Sequence, residues 1–249
     1  MYPASSNSAA ARRHGRHSRS TSRRGAKPPC SRLIARSGAN PVFVLASSVQ
    51  ADSLGRPVTV NTWWGEDLED NAFGTHEFLD LCELLGAQPY VSGNVGSGSV
   101  GEMAEWVEYM TADNNSTLAQ LRRANGRDKP WRLHYFAVGN ETWGCGGNMR
   151  PEYYADIYRK YATFMADWNN TGAHFRIASG ASSNDYNRTE VLMKNVPRSL
   201  LEGVALHHYA VIDWQKKGPS TTFTEEHYFK TMKSALFMEE LVQKHSAIM

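Results

Sequence analysis

Cysteine is scarce in this chain. Cys30, Cys82 and Cys145 are the three among 249 residues, widely separated and without a C-x-x-C pair. They do not make a disulfide framework, and a reducing compartment suits them better. Long apolar runs are missing too. None approaches the roughly 20 residues that a membrane-spanning helix needs, so no membrane association is expected. Acidic residues are absent from positions 1–51, which hold nine of the 27 basic residues. The rest of the chain keeps 18 basic residues against all 25 acidic ones, a formal charge of −7 concealed by the overall +2. By charge, such a body is not a nucleic-acid binder.

Several chemistries lack their signatures. The glycine-bearing stretches 93–98 and 144–147 match neither the dinucleotide fingerprint nor the phosphate-binding loop. No G-x-S-x-G elbow occurs. His207 and His208 are adjacent, and neighbours on a strand point to opposite faces, so they are not a pair of metal ligands. A histidine satisfied by the core or a cleft is the plainer reading of either. No metal and no cofactor are expected.

What is present is a body with 41% hydrophobic and 11% aromatic residues, including seven Trp and eleven Tyr, enough for one large α/β domain. Residues 1–50 form a basic leader rich in Ser and Arg, whose composition cannot bury enough apolar surface to offset chain entropy. It has the look of a transit peptide, and 41–48 could pass for a signal-peptide core with a cleavage site at 49–51. An N-terminus foreign to the domain is the reading preferred here. The body starts near Arg56 with an extended 57–61 and an acidic loop, 64–70. Thr75 can cap a helix with the stripe Phe78, Leu81, Cys82 and Leu85, ended by Gly86. A strand at 89–94 follows. Ser99 and Glu102 then form a capping box for a helix that turns Met103, Trp106, Val107 and Met110 inward. Residues 111–130 read as a polar surface excursion, and 132–141 as a strand. Pro151 opens a helix whose face carries Tyr154, Tyr158, Tyr161, Met165 and Trp168. Strands at 175–180 and 203–209 flank a short helix at 190–196. A last helix, 225–249, has Phe229, Met232, Leu236 and Val242 in helical spacing. Strand alternating with helix is the rhythm of a parallel β/α fold.

In such folds ligands gather at the C-terminal ends of the strands. Here those ends bear Asn94, Asn140, Glu141, His207 and Tyr209, with Trp63, Trp64 and Trp143 close in sequence. Aromatic faces, amides and a carboxylate together suit a sugar. Glu141 as the mere start of a solvated loop is the plainer alternative.

The motifs are more specific than the rim. Asn61-Thr62-Trp63-Trp64-Gly65, the run 69–78 (Glu69-Asp70-Asn71-Ala72-Phe73-Gly74-Thr75-His76-Glu77-Phe78) and Tyr90-Val91-Ser92-Gly93-Asn94 through Gly98 resemble the α-L-arabinofuranosidases of glycoside hydrolase family 51. So do Val138-Gly139-Asn140-Glu141-Thr142-Trp143-Gly144 with its continuation to Asp156, and Leu206-His207-His208-Tyr209. The resemblance extends from about Arg56 to Met249. It implies a catalytic (β/α)8 barrel, of which 56–249 would supply strands three to six, and a C-terminal β-sandwich outside this chain. It also implies retaining, cofactor-free, exo-acting removal of terminal arabinofuranosyl groups from arabinan, arabinoxylan or their oligosaccharides, with oligomers open to the full-length family.

By that match Glu141, ending the fourth strand, is the general acid/base, and Asn140 holds the sugar 2-hydroxyl. His207 and Tyr209, ending the sixth, line the cleft, with Tyr209 near the nucleophile; Trp143 walls the sugar site, and Asn94 adds to the rim. The family nucleophile is a Glu on the seventh strand, just past the residues matching 245–249, so no nucleophile is expected in this chain and hydrolysis by it alone should be negligible. Glu225, Glu226, Glu239 and Glu240 read as surface residues. Two other readings compete: a related retaining xylanase or endoglucanase, and a non-catalytic sugar-binding remnant. Asn140-Glu141-Thr142 is a glycosylation sequon, and because a glycan there would block the site it tilts localisation toward the cytoplasm. Limited trypsin digestion should cut first within 1–38, at sites from Arg12 to Arg36; their protection would show that the leader is packed.

Overall fold

The computed structural model describes residues 42–46, 58–61, 67–168 and 174–249. The expectations for most of the leader, and for Trp63, Trp64 and Glu66, lie outside the described residues. Five strands form one parallel sheet: β1 (Val42–Ala46), β4 (Gln88–Gly93), β5 (Tyr135–Val138), β6 (Phe175–Ser182) and β7 (Gly203–His207), in that spatial order. A separate antiparallel pair, β2 (Thr59–Asn61) and β3 (Asp67–Glu69), lies between β1 and β4 in sequence. Helices α1 (Thr75–Leu84), α2 (Val100–Thr111), α3 (Thr117–Ala124), α4 (Pro151–Thr163), α5 (Tyr186–Asn195) and α6 (Glu225–Ile248) complete the order. This is an arc of a (β/α)8 barrel.

The arc is one strand longer than expected. Val42–Ala46 pairs in register with Gln88 to Ser92, in the place of a second barrel strand. The short run after Pro41, readable as a signal-peptide core, forms a parallel strand.

Helix α2 was legible in full. Glu102 N–H donates to Ser99 Oγ at 3.1 Å and Ser99 N–H to Glu102 Oε2 at 2.6 Å, closing the capping box. Met103, Trp106, Val107 and Met110 are all buried. At α1 the cap is Gly74 rather than Thr75. The Thr75 hydroxyl is inside the fold, where it accepts from the Trp106 indole N–H at 3.0 Å. Leu79 is buried in place of Leu85, which is 52% exposed.

The polar stretch after α2 is not a bare excursion. Ser116 caps α3, and the fully buried Arg122 side chain donates to the carbonyls of Tyr109 and Ala112 at 3.0 and 2.6 Å. A polar run with a single inward cation has no apolar periodicity to reveal it. Helix α4 stops at Thr163, so Met165 is buried from beyond the helix and Trp168 is 41% exposed. On helix α6, Phe229, Met232, Leu236 and Val242 are exposed, while Leu241 and His245 are its buried residues. His245 is held between Thr189 Oγ1 and the Ser183 carbonyl, both at 2.8 Å, which fastens α6 to α5.

The core lies between the sheet and α1, α2, α4 and α5, with Val91, Phe136, Val138 and Ala178 from the strands. Phe136 sits on the middle strand, has no exposed surface and meets the Trp106 ring edge-on at 6.1 Å. Phe136→Ala removes that contact and leaves a cavity, and should cost about 3–5 kcal/mol. Urea unfolding monitored by circular dichroism checks it; a loss below about 1 kcal/mol would mean that the sheet and α2 are not packed as described.

Candidate active site

Strand β5 stops four residues after it starts because the backbone turns out of the sheet at Gly139, whose φ is +89°. A β-carbon there would meet Val95 Cγ2 at 2.7 Å and Thr142 Cγ2 at 2.9 Å, so glycine is required twice over. Glu141 then adopts φ +47°, a left-handed conformation that costs a non-glycine residue about 1–2 kcal/mol. The turn is closed by the glycine loop behind it. The Glu141 carbonyl accepts from the N–H groups of Gly144 at 2.8 Å and Gly146 at 3.0 Å. A β-carbon on Gly146 would collide with the Asn140 carbonyl oxygen. The spacing Asn-Glu-Thr-Trp-Gly-Cys-Gly-Gly is thus a backbone requirement as well as a motif.

The turn delivers the Glu141 carboxyl to the end of β7, and the residue is 4% exposed. Tyr209 donates its hydroxyl to Oε1 at 2.7 Å, and His207 Nδ1 lies 2.9 Å from the same oxygen. Cys145 Sγ lies 3.3 Å from Oε2. Burial pushes the carboxyl up, but the bonds from His207 and Tyr209 and the attraction of His207 more than offset it, and Glu141 settles below its usual 4.5. Among the described residues no acidic neighbour contributes to that balance.

Of the residues singled out in sequence, Glu141, His207 and Tyr209 are brought together. Tyr209 is bonded to Glu141. Trp143 stands edge-on to His207, ring centres 6.4 Å apart, and its Nε1 is buried without a hydrogen-bond partner among the described residues. Asn140, half-buried, is the residue between Gly139 and Glu141. Asn94 does not join the cluster. It is exposed, its oxygen accepts from the N–H groups of Gly96 and Ser97 at 3.0 Å, and its amide donates to Ser97 Oγ at 2.8 Å. The side chain folds its own loop, the usual competing role of a short amide. His208 faces the other way, with Nε2 at 3.1 Å from the Ser234 carbonyl of α6. Glu225, Glu226, Glu239 and Glu240 are exposed on α6, Glu240 paired with Lys244.

Sequence reading missed the layer behind Glu141: Thr142, Ser179, Tyr154 and Arg188. Helical spacing places Tyr154 only on the apolar face of its helix. Its hydroxyl donates to the Val138 carbonyl and accepts from the Ser179 N–H, both at 2.6 Å, joining the ends of β5 and β6. No pattern marks such a bond, because tyrosine at that spacing is ordinary core. Among the described residues no group of three or more His, Cys, Asp or Glu could hold a metal ion, and no helix is long and apolar enough to cross a membrane.

The family profile described as the alpha-L-arabinofuranosidase 1 domain matches residues 43–233. The chain belongs to this family. Its match begins inside β1, consistent with the strand found there. An intracellular exo-alpha-L-arabinofuranosidase of Bacteroides ovatus is 55% identical over 195 residues, covering 78% of this chain and 38% of that protein. The crystal structure of the GH51 arabinofuranosidase from Xanthomonas axonopodis pv. citri superposes with a TM-score of 0.75 at 49% identity, over 79% of this chain and 40% of that one. The arabinose complex of the Thermotoga maritima alpha-L-arabinofuranosidase gives 0.66 at 25% identity, over 82% and 42%. This chain therefore spans about two fifths of each of these three proteins.

Because folding lowers the Glu141 pKa, its ionised form contributes stability that is complete above about 4.5 and is lost as pH falls through the lowered value. Glu141→Gln removes this dependence. Urea unfolding from pH 7 down to pH 3 should show the wild type losing more stability than the variant, and the divergence should start below about pH 4.5. Parallel curves would mean that the carboxyl is not held as an anion.

Proposed function

We propose that this chain is the catalytic-barrel portion of an exo-acting, retaining α-L-arabinofuranosidase, with Glu141 as the general acid/base. The observation that carries it is a single buried carboxyl at the C-terminal end of a central barrel strand, gripped by Tyr209 and His207, in a family of that activity. Terminal arabinofuranosyl groups of arabinan, arabinoxylan or their oligosaccharides are the substrate class. Asn140 meets the sugar 2-hydroxyl. Trp143 walls the sugar site; His207 and Tyr209 line the cleft while fixing the carboxyl.

Retention uses two carboxyl groups about 5–5.5 Å apart, one attacking the anomeric carbon and one serving the leaving oxygen. As described, Glu141 rests as an anion, the form that activates water in the second half of the cycle. The first half needs it protonated. A second carboxylate at that separation opposes ionisation and pulls the pKa up, so the acid form becomes available only when the attacking group is in place. After the sugar–enzyme bond forms, that second charge is consumed, and Glu141 returns to the base.

The test is a graft of residues 43–249 into the matching segment of the Bacteroides ovatus relative. The graft should hydrolyse aryl arabinofuranosides and leave xylan chains intact. In it, Glu141→Ala should slow substrates with poor leaving groups by roughly 10²–10⁴-fold and those with good leaving groups far less. Azide should restore the second step by attacking the sugar–enzyme bond in place of activated water. Equal losses for both leaving groups without azide rescue would remove Glu141 from the role. Cleavage within xylan would favour the endo-acting relatives, and saccharide binding without turnover by a folded graft would favour a binding remnant.

A further inference from the structure

The buried layer behind Glu141 contains a cation that the proposed chemistry does not use. Arg188, in the first turn of α5, is 3% exposed. Its guanidinium donates to Thr142 Oγ1 at 2.8 Å and to the Met149 carbonyl at 3.1 Å, and lies over the Tyr154 ring at 5.4 Å. Both acceptors are neutral oxygens. Desolvating a cation is expensive, so one buried here has to be held by good hydrogen bonds. Burial does pull the Arg188 pKa down, so that cost is real.

The two acceptors are not arbitrary. Thr142 directly follows Glu141, and its carbonyl accepts from the Met149 N–H at 2.7 Å. The fork of Arg188 therefore spans both ends of the loop that closes the turn. An arginine can only donate, so Thr142 Oγ1 must accept from it and turn its own hydrogen to Ser179 Oγ, 3.1 Å away. Ser179 Oγ also accepts from the Thr142 N–H at 3.1 Å. One cation thus sets the direction of a chain of hydrogen bonds that pins the residue after the left-handed Glu141.

We infer that Arg188 is the positioning residue of the active site: by clamping Thr142 and Met149 it holds the left-handed turn that presents the Glu141 carboxyl to Tyr209 and His207. It touches neither the carboxyl nor any reacting atom. Released from the clamp, Glu141 relaxes toward ordinary backbone angles and its carboxyl swings away from the two groups that keep it ionised.

This inference rests on Glu141 as the reacting carboxyl, and its test needs no turnover. The Glu141 carboxyl carbon is followed by NMR of the ¹³C-labelled full chain, assigned by its loss in Glu141→Gln, and its titration midpoint is compared among variants. Arg188→Met and Arg188→Lys should both raise the midpoint toward the usual carboxylate value. Lysine keeps the charge and loses the fork, so a shift shared by the two is positional; a shift confined to Arg188→Met would be simple long-range attraction and would overturn the inference. Thr142→Val, which removes the acceptor at nearly constant size, should shift it in the same direction and decides the matter if the Arg188 variants do not fold. Leu192→Ala, a cavity in the same helix, should lower stability and leave the midpoint alone. An unmoved midpoint in a folded Arg188→Lys or Thr142→Val chain would show that Arg188 only stabilises the fold. An inactive graft, by contrast, would count against the proposed function and leave this result standing.

Discussion

Everything at the candidate site depends on the left-handed backbone between Val138 and Thr142. A strand that continued straight would send Glu141 along the ladder, away from His207 and Tyr209. Two positive-φ residues in three positions reverse it. Glycine takes the first at no steric cost, whereas Glu141 takes the second against a preference of about 1–2 kcal/mol. Surroundings must supply that energy. Here they are the Tyr154 hydroxyl joining the ends of β5 and β6, the Gly144 and Gly146 N–H groups on the Glu141 carbonyl, and the Ser179 hydroxyl on Thr142. Strain at a single residue is informative because it persists only where the neighbourhood over-determines it.

The barrel arc explains why the neighbourhood can do so. Parallel strands in register bring the ends of β5, β6 and β7 side by side, so residues 66 and 68 positions apart in sequence reach one carboxyl oxygen. Helices α4 and α5 pack behind those strand ends and send Tyr154 and Arg188 forward between them. Large aromatic groups with one polar tip suit this layer. Tyr154 contributes apolar area to the core with its ring and a hydrogen-bond junction with its hydroxyl. The two demands do not compete, since they use opposite ends of the side chain.

Regular elements were legible where burial has a period. The capping box and inward stripe of α2, Pro151 at the start of α4 and the strands of β4 to β7 all follow from spacing. Legibility failed where a single polar group substitutes for a stripe. Arg122 anchors α3 through carbonyls, and His245 anchors α6 through Thr189 and Ser183; neither leaves a hydrophobic pattern. The stripe of α6 is the complementary case. Phe229, Met232 and Leu236 have helical spacing, but spacing says only that residues share a face, not that the face is covered. At the site, Glu141, His207 and Tyr209 could be named from strand-end chemistry and from motifs. Asn94 had the same credentials, and its amide was taken by the backbone of its own loop. Residue type and position cannot distinguish an amide offered to a ligand from one spent on a turn.

The site also separates two kinds of buried charge. Arg188 is compensated by neutral oxygens in a rigid layer, an arrangement insensitive to pH because guanidinium does not titrate in proteins. Glu141 is compensated by a phenol and an imidazole that both belong to the cleft, and its balance is close: burial acts upward, the two bonds act downward, and the downward effects win. A carboxyl so balanced responds to any further charge brought near it. That sensitivity is what an acid/base residue needs, since it must hold a proton in one half-reaction and lack it in the next. Under the proposed reading the two divide the work: the cation keeps the geometry constant while the carboxyl changes its charge.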